Sequence, residues 1–85
     1  MSAEAQAVER AILDLLARRG PGRTICPSEA ARAVRPDGDW RALMPSVRAE
    51  AARLAAQGRL VATRKGTPVD PATARGAIRL GLPRA

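Results

Sequence analysis

The sequence predicts an α+β fold that is mainly α, with three helices closed by a small antiparallel β-hairpin. Three observations predict it. Apolar residues recur at helical spacing from Ala5 to Leu16 and again from Leu43 to Ala55; Gly and Pro punctuate the ends of those runs; and two short strand-like segments, L-V-A-T-R-K and A-I-R-L, lie late in the chain. With 85 residues there is room for one modest core, so a single domain over residues 1–85 is expected.

Ala5, Val8, Ile12, Leu15 and Leu16 fall on one face of a helix over about residues 3–19. Ser2 can cap it, Glu4 suits its N-terminal dipole, Arg18 and Arg19 suit its C-terminal end, and Gly20-Pro21 stops it. Arg23 to Cys26, with Thr24 and Ile25, suits a brief edge strand. Pro27 then opens a second helix, P-S-E-A-A-R-A-V, over about 27–35, with Ala30, Ala31 and Val34 inward and Cys26 at or just before its N-cap. The turn R-P-D-G-D follows, where Gly38 is free to take positive φ and Asp39 to cap a third helix over about 40–57. Pro45 requires that helix to start no earlier than Trp40. Trp40, Leu43, Met44, Val47, Ala51, Leu54 and Ala55 are its expected core residues, with Arg41, Ser46, Arg48, Glu50, Arg53 and Gln57 toward solvent or its border. Strands are expected at about 60–65 and 77–80, joined by a long and mobile tip containing Asp70, Pro71 and Gly76. The order helix, short strand, helix, helix, strand, loop, strand is that of a winged helix-turn-helix.

The net charge of +7 favours a polyanionic partner such as nucleic acid. Residues 45–85 hold eight Arg and Lys against two acids, whereas residues 1–44 hold seven against six. Fourteen of the fifteen cations are Arg in an Ala-, Gly- and Pro-rich chain, a profile that GC-biased codon usage also produces. Two sets of residues form the expected duplex-DNA surface. On the third helix, Arg41 and Ser46 are placed to read base edges and Arg48 and Arg53 to meet phosphates. On the hairpin, Arg64, Lys65, Arg75 and Arg79 are placed to follow the backbone. Each set has an ordinary structural alternative, in ion pairing with Glu50 or in protecting strand edges from aggregation.

The chain has no His, no Tyr and one Cys, and its carboxylates are scattered, so no catalytic constellation, cofactor or metal site is expected. A single aromatic residue, Trp40, argues against a base-stacking single-strand binder. The lone Cys26, and the absence of a signal peptide or membrane-length apolar run, suit a cytoplasmic protein with no membrane partner. The alternative to DNA binding is an adaptor module of the same fold whose partner is another protein, which requires an exposed apolar patch.

The segments P-S-E-A-A-R-A-V, W-R-A-L-M-P-S-V-R, L-A-A-Q-G-R-L, R-K-G and R-G-A-I-R-L together resemble a small bacterial family catalogued only as a domain of unknown function. The resemblance runs from about Val8 to Leu80 and is carried chiefly by W-R-x-L-M-P-x-V-R. It implies a compact winged-helix-like domain and no particular activity. P-S-E-A-A-R-A-V also looks like the first helix of many bacterial helix-turn-helix regulators, although R-P-D-G-D-W is longer than their usual turn.

Overall fold

The Ser2 hydroxyl accepts the Ala5 amide at 3.0 Å and fixes the start of the first helix, α1, which spans Ala3–Arg19. These elements come from a computed structural model that describes residues 2–83. Gly20, at φ +81°, ends α1 in a conformation that side chains other than glycine rarely adopt. Strand β1 (Thr24–Ile25) leads into helix α2 (Pro27–Val34), whose first turn is held by the Glu29 carboxylate accepting the Cys26 amide at 2.7 Å. Pro36 pushes Arg35 out of the helical region, to φ −129° and ψ 72°, so α2 stops one residue short of the expected end.

The third helical segment is not continuous. Residues 40–57 were expected to form one helix, but Trp40–Leu43 is a 3₁₀ turn and the α-helix α3 is Met44–Ala56. Pro45 has no N–H to give to the carbonyl four residues back, so the chain winds tightly until Pro45 lies in the first turn of α3. Asp39 caps the 3₁₀ turn, accepting the Ala42 amide at a long 3.4 Å. Gly38 does not take positive φ, contrary to expectation; the turn closes with Gly38 packed beside the Arg35 side chain.

Strand β2 (Val61–Arg64) pairs with two neighbours, β3 (Thr67–Pro68) and β4 (Arg79–Gly81), in an antiparallel sheet of order β1-β4-β2-β3. Strand β3 was not expected, and the other two hairpin strands are displaced from 60–65 and 77–80 by one or two residues. Lys65 and Gly66, at φ +50° and +82°, join the paired residues Arg64 and Thr67 in a two-residue turn with both central φ values positive, the geometry that matches strand twist. Pro68 is tolerated because β3 is the sheet edge.

Val8, Ile12 and Leu16 of α1, Ala30 and Ala31 of α2, Leu43, Val47, Ala51 and Leu54 of the third segment, and Ile25, Leu60, Ala62, Ile78 and Leu80 from the sheet side form one buried cluster. The structure is thus α+β, three helices against a four-stranded antiparallel sheet, compatible with the winged helix-turn-helix order.

Candidate nucleic-acid interface

Four of the eight expected contact residues are committed to holding the fold. Arg48 extends from the second turn of α3 and donates to the carbonyls of Pro71 (3.4 Å), Ala74 (2.6 Å) and Gly76 (2.8 Å). The segment expected to be a mobile tip is therefore tied to α3. Asp70 reinforces it, its backbone carbonyl accepting Ala74 at 2.8 Å and its side chain accepting Ala72 at 2.9 Å, while the Pro71 side chain is fully buried. Arg53 bridges α3 to α1 through ion pairs with Glu50 and Glu9. Glu50, expected toward solvent or its border, is buried with Arg53 donating to it from Nε at 3.0 Å and Nη2 at 2.9 Å. The Glu50 hydrogen bond, and then that of Glu9, raise the Arg53 pKa further above its ordinary range, against the opposing effect of desolvation. Ser46 donates its hydroxyl to Glu4 at 2.9 Å, and Arg79 donates to the hydroxyl (2.8 Å) and carbonyl (3.0 Å) of Thr24, tying β4 to β1.

The other four keep their charge toward solvent. Arg41, Arg64, Lys65 and Arg75 are exposed and make no ion pair or side-chain hydrogen bond among the described residues. The Arg64 guanidinium lies beside the backbone that follows Arg75: a Cβ added at Gly76 would lie 3.6 Å from one of its nitrogens. Since Arg48, in the second turn of α3, holds Gly76, the Arg64 guanidinium stands near the N-terminal half of that helix. Arg41 is one 3₁₀ turn upstream, with its guanidinium carbon 4.5 Å from the Trp40 ring centroid.

Trp40 packs against the core as expected but stays half-buried, and a second guanidinium, that of Arg32, also lies 4.5 Å from its centroid. Sequence reasoning missed Arg32, because it meets Trp40 only after the chain has turned through R-P-D-G-D. The outward face of α3 was also unforeseen. Ala42, Pro45, Ala49 and Ala56 are exposed and Ala52 half-exposed, so the surface between the arginines has no side-chain donor or acceptor.

A shallow groove of about 310 Å³ lies between α1 and α2, with Ala7, Ala11, Leu15, Ala33 and Val34 as its apolar lining. No described helix is long and apolar enough to cross a membrane.

A search of curated proteins found no match to the chain. Residues 5–83 match a family model described as "Protein of unknown function (DUF3253)". Nearly the whole described chain lies within that match, and the protein belongs to the DUF3253 family.

Proposed function

We propose that the chain is a non-enzymatic winged-helix domain that binds duplex DNA through its third helical segment and its basic wing. The observation that carries this reading is the wing apex. Lys65 is the one non-glycine residue at positive φ among the described residues, and it projects a cation between exposed Arg64 and Gly66. The two-residue turn requires positive φ at this position, which costs a residue with a side chain about 1 kcal/mol, and Asn or Gly would meet it more easily than Lys. A phosphate contact at the tip supplies a reason for the lysine. The anchoring of the Pro71–Gly76 segment by Arg48 supports the same reading, since that segment, which carries Arg75, loses little conformational entropy on docking.

Fluorescence anisotropy of a labelled duplex at two salt concentrations tests it. Binding that weakens as salt rises is expected, and no binding at low salt overturns the proposal. Lys65→Asn sharpens the test, because Asn tolerates the left-handed conformation. That variant should gain about 0.5 kcal/mol in urea unfolding while binding the duplex several-fold more weakly. A second reading, an adaptor for a partner protein, is favoured by the apolar groove between α1 and α2. Leu15→Glu would abolish partner capture on that reading and leave duplex binding unchanged on the first.

A further inference from the structure

The α2–α3 corner concentrates positive charge that no ion pair neutralises among the described residues. Arg32 on α2 and Arg41 on the 3₁₀ turn are both exposed, and neither has a carboxylate within ion-pairing distance among the described residues. The other cations at this corner are spoken for: Arg35 pairs with Glu4 at 3.0 Å, and the Asp39 carboxylate is turned back to cap Ala42. Each of the two free guanidinium carbons lies 4.5 Å from the Trp40 centroid, so they are at most twice that distance apart. That is about one Debye length at physiological salt, where like charges still repel. The indole N–H makes no hydrogen bond among the described residues and is not a buried, unsatisfied donor, so it faces water.

Stacking on the ring restrains two flexible side chains before any ligand arrives. Two fork-shaped donors then stack on one ring whose N–H is also open to solvent, and none of the three has an acceptor among the described residues. Planar guanidinium donors match phosphate oxygens, and an anion bound beside them lowers their mutual repulsion.

We propose that Arg32, Trp40 and Arg41 form a seat for a backbone phosphodiester of the bound duplex, a second anchor beside the wing. The seat rests on the duplex-binding reading and assigns Arg41 to phosphate rather than to a base edge. Arg32 becomes a contact residue on the same footing as the wing cations.

Trp40 is the only tryptophan, so its emission reports this corner alone. The experiment follows Trp40 emission and the anisotropy of a labelled duplex together in one titration, with inorganic phosphate as a separate arm. The Arg32→Gln/Arg41→Gln variant is run in parallel, with thermal unfolding to show that it stays folded after losing its two stacking contacts on Trp40. The expected result is a change in emission with the same midpoint as the anisotropy, and a salt slope reduced by about 2 in the double variant, near 0.9 per lost contact. Rising anisotropy with silent Trp40 emission and an unchanged slope in the variant would overturn the seat while leaving duplex binding intact. Emission that responds to inorganic phosphate but not to duplex also overturns it, in favour of a free-anion site. Loss of anisotropy in the wild-type protein defeats both readings.

Discussion

Single side chains decide how the helix ends are satisfied, and Glu29 is the most consequential. Its carboxylate accepts the Cys26 amide at the start of α2 and pairs with Arg19 at the end of α1, so one residue closes two termini. The Cys26 hydrogen bond, then the Arg19 bond and charge, hold its pKa below the ordinary glutamate value despite the opposing pull of desolvation. The folded protein therefore binds this proton less readily than the unfolded chain, whose glutamates titrate near pH ~4.3. Its stabilisation is complete above that pH and is lost as pH falls through the lower folded value. Glu29→Gln should cost about 1 kcal/mol at pH 7, and the difference from wild type in urea unfolding should shrink progressively below pH ~4. A gap that stays constant down to pH 3 would mean that the charge is not what matters.

Among the elements, the connection between β3 and β4 depends on α3 through Arg48, whose guanidinium satisfies three carbonyls that no strand partner reaches. Arg48→Ala should cost about 2 kcal/mol and speed amide exchange at Ala74, while Ala5 near the start of α1 exchanges as before. Arg48→Lys should recover only part of this, because an ammonium cannot span the fork. Uniform acceleration across both amides would instead indicate global destabilisation. The sequence carries no sign of this clamp, since Arg48 and Gly76 are 28 residues apart. The same limit applies to Arg53 with Glu9, 44 residues apart, and Ser46 with Glu4, 42 apart. Residue types in the candidate site were therefore legible, but their commitments were not. What was legible depends on local rules: the Ser2 cap, the period of α1 and the stop at Gly20 all act within one or two turns. Strand β3 escaped notice because Lys-Gly is a weak turn signal and Pro68 looks like a break; only its place at the sheet edge makes it a strand. Pro45 signalled a constraint on the third helix, but not that the chain would meet it by switching to 3₁₀ winding.

For the molecule as a whole, the paired acids lie in the helices and the later part of the chain is left with an excess of cations. Glu4, Glu9, Glu29 and Glu50 all pair with arginines among the helices, whereas the segment from Gln57 to Pro83 carries five cations and the single acid Asp70. Three of those five, Arg64, Lys65 and Arg75, join Arg32 and Arg41 as exposed cations available to phosphates. If all five make contact, log K should fall against log salt with a slope near −4.5. The face of α3 that would approach a groove consists of Ala42, Pro45, Ala49, Ala52 and Ala56, which can lie close to DNA but cannot distinguish one hydrogen-bonding edge from another. Affinity should then come almost wholly from the backbone. Duplexes of equal length but opposite base composition should bind within about threefold of one another, because a base pair read directly is worth ~1–3 kcal/mol and this face offers no side chain to read one. Competition titrations with A·T-rich and G·C-rich duplexes measure this directly. A preference beyond about a hundredfold would require at least one such readout, for which Ser46, now hydrogen-bonded to Glu4 at the surface, is the first residue to test by substitution.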